Sequence, residues 1–400
     1  MRYQLRYVRV GGVTAKHPTI ADAAISTQRD PMAAPTRHYG RVLGHPAARL
    51  GGLCASELIE VSHDPSVLDG RGRWAVLMPY SGQAVFARFG HWHPGPADPV
   101  AGDWIGPQQW SSSMDEVSYC AAVDQIRDQI AQGRVYQANL CRVLTAEMPD
   151  PTAVDVGGLH ALLDREHPAP FAGMIRLPDH DVHVATASPE LFLRRHGDRV
   201  ESSPIKGTAT HAADLLEKDR AENVMIVDLV RNDLSRVCQP GSVEVAELMA
   251  THTHPGLVHL VSTVRGSLAP DTTWDGLLAA TFPPGSVTGA PKHTALQVIA
   301  EGEPVSRGPY CGAIGWVDAD TGDAELAVAI RTFWLTIDNG RHLLHFGTGA
   351  GITWGSQPQR EWQETQLKAA RLTEVAAGQW HIDRVQPTAS GRSAAVSVEP

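Results

Sequence analysis

The chain has 400 residues, 42% of them hydrophobic and 20% charged, which is the balance of an ordinary globular protein with room for a large core. Its formal net charge of −10 excludes a general binder of the nucleic-acid backbone, though a small anionic substrate could still meet a locally basic site. Five widely spaced cysteines without a Cys-x-x-Cys exclude a disulfide scaffold or structural zinc site and fit a reducing cytoplasm, and no apolar run approaches the ~20 residues of a membrane span.

In chain order, the first ten residues alternate polar and apolar like a strand and carry no apolar signal-peptide core. Residues 1–115 are rich in Gly, Pro and short apolar runs, with strands expected at Trp74-Ala-Val-Leu-Met and Ala84-Val-Phe-Ala-Arg-Phe. No chemistry is legible there, so this part reads as sheet and support. From Met114 to Gln132, Val117, Cys120, Val123, Ile126 and Ile130 recur at helical steps, and Gly133 stands where a helix cap is expected. Strands are expected over 135–144, 182–187, 191–195 and 199–203. Two long helices, Leu215 to Val237 and Gln359 to Ala377, contain neither Gly nor Pro. The run beyond Gly378 loses periodicity and reads as a mobile tail, leaving 116–377 as the catalytic part. Strands interleaved with helices at no regular spacing give an α+β fold rather than a doubly wound one.

The two long helices repeat one pattern. Asp219 and Glu222 share a face, as do Glu361 and Glu364, and Lys368 continues the second face. Hard carboxylate oxygens suit Mg²⁺. Each pair alone reads more simply as a solvated helix face, and Asp219 and Glu222 also complement the helix dipole without a metal. Gly347-Thr-Gly-Ala-Gly351, after the strand-like His342-Leu-Leu-His-Phe, reads as a loop whose bare backbone can approach an anion, or as a tight turn. Pro283-Pro-Gly-Ser-Val-Thr-Gly-Ala-Pro-Lys292 does not match the phosphate-binding lysine loop, because proline precedes the lysine.

Taken together, ten segments between about 115 and 375 resemble the chorismate-utilising enzymes. They include Gly133-Arg-Val-Tyr-Gln-Ala-Asn-Leu, Ala187-Ser-Pro-Glu-Leu-Phe, Pro204-Ile-Lys-Gly-Thr and the run from Glu217 to Asp233. Others are His259-Leu-Val-Ser-Thr-Val, Gly285-Ser-Val-Thr-Gly-Ala-Pro-Lys, Arg307-Gly-Pro-Tyr-Cys-Gly, Ala329-Ile-Arg-Thr, Gly347-Thr-Gly-Ala-Gly-Ile and Glu361-Trp-Gln-Glu-Thr. The resemblance implies two large antiparallel sheets flanked by helices, with chorismate and Mg²⁺ bound between them. It implies Glu222 and Glu364 as metal ligands, with Asp219 and Glu361 behind them through water. It makes Glu190 the general acid for the departing 4-hydroxyl and places His259 near the reacting ring. Tyr310 and Arg331 would hold the enolpyruvyl carboxylate, Gly349 and Gly351 with Lys368 another carboxylate, and Thr208 would line the pocket.

Two positions select a branch of the family. Members that add water to chorismate carry a lysine where this chain has Gln137; the ammonia-using members carry glutamine, which cannot act as a base. Anthranilate synthases read Pro-Ile-Ala-Gly-Thr, whereas aminodeoxychorismate synthases read Pro-Ile-Lys-Gly-Thr, as this chain does at Lys206. The resemblance then implies a covalent Lys206 intermediate at C2 that directs nitrogen to C4. An ordinary lysine amine is protonated at neutral pH, so the role asks for burial or a nearby cation. Ala209-Thr-His replaces the family's usual basic loop, and no Leu-Leu-Glu-Ser element is evident near the N-terminus. No cysteine lies in a Gly-x-Cys-x-Gly turn, so ammonia is expected from a separate glutaminase partner. Anthranilate synthesis and a non-catalytic scaffold are the competing readings.

Overall fold

A computed structural model describes residues 45–95, 104–150, 154–209, 217–254 and 257–378. The expected N-terminal strand, the expected tail beyond Gly378, and Thr210 and His211 of the unusual loop lie outside the described residues.

Eighteen strands among the described residues join in one hydrogen-bonded ladder. It begins at β6 (Gln137–Glu147) and passes to β18 (Arg341–Ile352), β17 (Thr332–Asp338), β8 (Val182–Ser188), β7 (Phe171–Leu177) and β1 (Ala47–Leu50). It continues through β2 (Leu53–Ser62), β4 (Val85–Pro94), β3 (Arg73–Met78), β15 (Ala313–Asp318), β16 (Asp323–Val328), β9 (Leu191–His196), β10 (Arg199–Ser203) and β13 (Leu257–Ser267). At the far end β11 (Ile205–Ala209) and β12 (Glu244–His254) both pair with β13, while the short β5 (Ser111–Ser112) and β14 (Gly289–Ala290) pair with β6. Every one of these pairings is antiparallel, so the expected α+β architecture of extensive antiparallel sheet is present. The N-terminal strands β1 to β4 lie within this ladder, between β7 and β15.

Among the described residues six α-helices flank the strands: α1 (Glu116–Ala131), α2 (Val156–Glu166), α3 (Glu217–Ser235), α4 (Trp274–Thr281), α5 (Lys292–Gly302) and α6 (Pro358–Ala376). Helix α1 forms where the periodicity predicts it, but Val117 of the expected stripe is exposed, and Tyr119 and Ala122 join Val123 and Ile126 on the buried face. Asp115 caps it by accepting from the Ser118 N–H at 2.8 Å, and Gly133 takes a φ of 74° just beyond its end. Tyr119, Val123 and Ile126 pack with Leu140, Ala350, Ile352 and Val298, fixing α1 over the start of β6 and the end of β18. Each such side chain contributes roughly 1.5–3 kcal/mol on burial. Helix α6 buries Ala369, Leu372 and Val375 against Leu144, Phe346 and Leu159. Helix α3 buries Ile226, Val230 and Leu234 in the main core, so both long helices are pinned by apolar stripes.

One expected loop is a strand. Gly347 to Gly351 continue β18 to Ile352, paired with β6 from Val143 down to Asn139. The glycines answer close approaches of side chains and backbone rather than a turn. A Cβ on Gly347 would stand 2.0 Å from the Tyr310 ring, and one on Gly349 would lie 2.6 Å from the Leu140 carbonyl oxygen.

Candidate active site

The site gathers around the segment from Pro284 to Pro291, which crosses the start of β6. Arg307, almost completely buried, locks that segment in place. Its guanidinium binds Glu303 through two hydrogen bonds of 2.8 and 2.6 Å and donates to the backbone oxygens of Val287 (2.9 Å) and Asn139 (2.7 Å). Tyr80 stacks beneath it, 4.3 Å from ring centroid to guanidinium carbon. Glu303 also accepts from the Cys141 N–H at 2.7 Å. A second clamp follows: Lys292 pairs with Asp233 of α3 at 2.6 Å and donates to the Thr281 oxygen at 3.0 Å. Arg307, Lys292 and Asp233 belong to the motifs quoted above and Glu303 and Tyr80 do not; together they hold the segment that meets Lys206.

Lys206 lies on β11, half-buried, and its amine donates to the backbone oxygen of Ser286 at 3.0 Å. Glu190 stands at the bend between β8 and β9 and is 4% exposed. Burial pushes its carboxyl up to about 7, against the opposing pull of the Ser286 hydroxyl, Lys206, the Ile205 N–H and Arg331. At neutral pH such a carboxyl is shared between acid and base forms, as a general acid requires. A small cavity beside it, lined by Glu190, Ser202, Pro204, Ser286 and Val328 among others, has room for about one water molecule. Ser286 touches both Glu190 and Lys206, yet no sequence argument singled it out.

Arg331 adopts a left-handed conformation with φ 52°, an uncommon one for arginine that its surroundings must enforce. Its oxygen accepts from the Ala187 N–H at 3.0 Å, which ties it to the strand before Glu190. Its side chain lies near Glu190 and contacts His167 at 3.5 Å. Burial, then the charges of Arg331 and Arg371, push His167 down to about 4, so it is neutral here at physiological pH. Tyr310 is buried with its ring over Gly347, and burial raises its phenol well above the ordinary value. His259, also buried, sits on β13 opposite His252 on one side and Thr208 on the other. The side chain of Thr208 lies outside the described residues.

The acidic helices approach the same end of β18. A Cβ on Gly351 would stand 2.3 Å from Gln137 Nε2 and 3.6 Å from Glu222 Oε2, so the bare glycine lets both side chains close over the strand. Asn223, the neighbour of Glu222, donates to the Leu260 oxygen and accepts from the Ser262 hydroxyl, seating α3 on β13. On α6, Lys368 pairs with Glu364 at 2.7 Å and donates to the Gly349 oxygen at 3.0 Å. Glu361 is buried on the same helix, and both Glu361 and Glu364 are close enough to Tyr119 to add to the rise of its phenol, which burial dominates. The side chain of Asp219 lies outside the described residues. Among the described residues no three His, Cys, Asp or Glu side chains are grouped tightly enough to enclose an ion. The donor chemistry nevertheless suits a hard cation, since carboxylates project from two helices.

The model of the chorismate binding enzyme family matches residues 98–374, which takes in every residue described above except Tyr80. This chain belongs to the chorismate binding enzyme family. It is 38% identical over 278 residues to anthranilate synthase component 1 1 of Haloarcula marismortui, covering 66% of this chain and 55% of that one. It is 34% identical over 328 residues to aminodeoxychorismate synthase component 1 of Salmonella typhimurium, covering 77% of this chain and 70% of that one. The chain thus spans little more than half the length of the Haloarcula protein. A solved structure of a 2,3-dihydroxybenzoate-specific isochorismate synthase from Bacillus anthracis shares the fold, with a TM-score of 0.70 at 23% identity over 84% of this chain and 97% of that one. No helix among the described residues is long and apolar enough to cross a membrane.

Proposed function

We propose that this member of the family replaces the 4-hydroxyl of chorismate by an amino group, giving 4-amino-4-deoxychorismate for 4-aminobenzoate synthesis, with ammonia supplied by a separate glutaminase subunit. The observation that carries this reading is the pairing of Lys206 with a buried, half-protonated Glu190 across Ser286. The amine of Lys206 forms a bond to ring carbon C2 as the C4–oxygen bond breaks, and Glu190 gives the departing hydroxyl its proton, releasing water. Ammonia then bonds to C4, the C2–nitrogen bond to Lys206 breaks, and the excess proton leaves the new amine. Nitrogen ends at C4 because C2 was occupied while the hydroxyl left.

Arg331, with Tyr310 beside it, would hold the enolpyruvyl carboxylate through charge-assisted hydrogen bonds. Lys368 and the backbone at Gly349 and Gly351 would receive the second carboxylate, and His259 and Thr208 would line the ring. Glu222 and Glu364, backed by Asp219 and Glu361, would hold Mg²⁺, which when bound neutralises the ring carboxylate. The aminodeoxychorismate synthase relatives at 34–38% identity support this branch, and so does lysine at position 206. The partner is supported by the cysteines: Cys141, Cys238 and Cys311 are buried, and Cys54 and Cys120 stand in no nucleophile turn.

Anthranilate formation is the second reading, favoured by relatives such as anthranilate synthase component 1 of Saccharolobus solfataricus at 37% identity. Intact-protein mass spectrometry after chorismate and Mg²⁺, without ammonia, separates the two. A chorismate-derived mass that disappears in Lys206→Ala is expected; anthranilate as the wild-type product with ammonium would overturn the proposal.

A further inference from the structure

The guanidinium of Arg331 has two places to go. It can present its fork to a carboxylate of the substrate, or it can fold onto Glu190, whose charge it already feels. The second choice would disarm the acid, because a cation in contact with a carboxyl stabilises the anion and strips the proton at neutral pH. The left-handed backbone of Arg331 fixes where its side chain starts, but a long flexible stem leaves open where the charge ends.

His167 lies against that charge. Its Nε2 is 3.5 Å from Arg331 Nη1. A guanidinium only donates, so the ring nitrogen facing it must offer a lone pair, and the imidazole must be neutral with its proton on Nδ1. Burial keeps it neutral, and the charges of Arg331 and Arg371 both oppose a third cation there. The ring is carried on a firm frame. His167 closes α2, its N–H donating to the Leu163 oxygen at 2.7 Å, and Pro168 follows where the helix must stop. The oxygen of Glu166 accepts from Arg371 of α6 at 3.0 Å, while Leu159 and Leu163 share a core with Leu372 and Val375 of α6.

We propose that His167 is a positioning residue for Arg331: its Nε2 lone pair draws the guanidinium away from Glu190 and leaves the rest of the fork turned toward the substrate carboxylate. This rests on the amination reading above, in which Glu190 is the acid and Arg331 holds a carboxylate. His167 itself transfers no proton and acts only through Arg331.

The test compares wild type, His167→Leu and His167→Gln in assays with chorismate, ammonium and Mg²⁺ on both sides of neutral pH. Leucine accepts nothing, so the chorismate KM should rise about tenfold, and a released Arg331 should move the alkaline fall in rate about one pH unit lower. Glutamine offers an acceptor oxygen, so His167→Gln should restore both. At low pH, where Glu190 is protonated in all three proteins, kcat should stay within about threefold. Lys206, the Ser286 hydroxyl and the Ile205 N–H also face Glu190 and are the same in all three, so a shifted fall reports the movement of Arg331. An unmoved fall in His167→Leu, or defects that His167→Gln shares in full, overturns the assignment. Nitrogen-15 NMR of histidine-labelled wild type, with the His167 signals identified by their loss in His167→Gln, reads the contact without turnover and carries the test should His167→Leu fail to fold. Nε2 should resonate as an unprotonated nitrogen; a proton on Nε2 overturns the assignment. A wild type that consumes no chorismate overturns the amination reading, while the NMR still decides the contact.

Discussion

The amine of Lys206 stands 3.0 Å from the backbone oxygen of Ser286, and that contact aims the only lysine of Pro204-Ile-Lys-Gly-Thr toward the buried carboxyl of Glu190. The oxygen that aims it belongs to the main chain, so replacing the Ser286 side chain leaves Lys206 in place. Ser286→Ala should therefore keep the covalent adduct proposed for Lys206 while removing one stabiliser of the Glu190 anion. The apparent pKa of the catalytic acid should move up, which a pH–rate profile of chorismate consumption reads directly. Loss of the adduct in Ser286→Ala would show that the hydroxyl, not the backbone, positions the lysine.

Glu190 sets activity against stability. Its folded value of about 7 lies above that of an exposed glutamate. The acid form works below that value, so the rate should fall as pH rises through about 7, and Glu190→Gln should lose roughly 10²–10⁴-fold in kcat. A raised carboxyl gives stability that is complete below its unfolded value and lost as pH climbs through the folded one. Glu190→Gln should thus be more stable than wild type above pH 8, by up to roughly 3 kcal/mol. Urea melts of both proteins at pH 5 and pH 8.5 check the sign.

The Arg307–Glu303 pair predicts a different defect. Both side chains are buried, and Arg307 also holds the oxygens of Val287 and Asn139. Arg307→Met strands the Glu303 carboxylate and should cost about 3–5 kcal/mol. The double variant Arg307→Met with Glu303→Leu should recover part of that in denaturant melts, yet its chorismate KM should remain raised because the Ser286 segment is no longer pinned.

Buried histidines set the acid limit, His160 and His183 together with His167 and His345. Burial pushes both His160 and His183 down to about 4, so each is neutral in the fold and gains a proton on unfolding in mild acid. Their contribution is complete above about pH 6.5 and lost as pH falls toward 4, up to roughly 3 kcal/mol each. His183→Phe should flatten the decline in melting temperature between pH 7 and pH 5, measured by differential scanning calorimetry.

Gly347 lies directly against the Tyr310 ring. A methyl group there would overlap the Tyr310 ring, so Gly347→Ala should cost about 1–3 kcal/mol and displace Tyr310. Tyr310→Ala should relieve much of the strain, giving a coupling free energy in a double-mutant cycle.

What the sequence discloses depends on where the reason for a residue lies. Helix α1 was legible because its periodicity and its flanking glycine are local. The motifs of Lys206 and Glu190 are contiguous too, and the fold brings both residues to Ser286. Helix α2 was not legible, since Gly157-Gly158 disfavour a helix and only burial against β7 and β8 overrides them. The run from Gly347 to Gly351 looked like a loop because its glycines serve neighbours far away in the chain, the Tyr310 ring and the Gln137 amide. Ser286 was hidden because part of its contribution is a backbone oxygen, which any amino acid possesses. Gln137 was recognised as a marker of branch, but its orphaned oxygen is a property of packing alone.

The pairing of β6 with β18 has a consequence for how the protein is made. Ala138 pairs with Ile352, so the start of β6 waits for β18 until nearly the whole described chain has been synthesised. Glu364 and Lys368 arrive later still, on α6. A nascent chain therefore exposes the apolar strand β6 until β18 and α6 have emerged. Truncation before α6 should yield an aggregating, silent product, and chaperone demand should fall on the interval between the two strands.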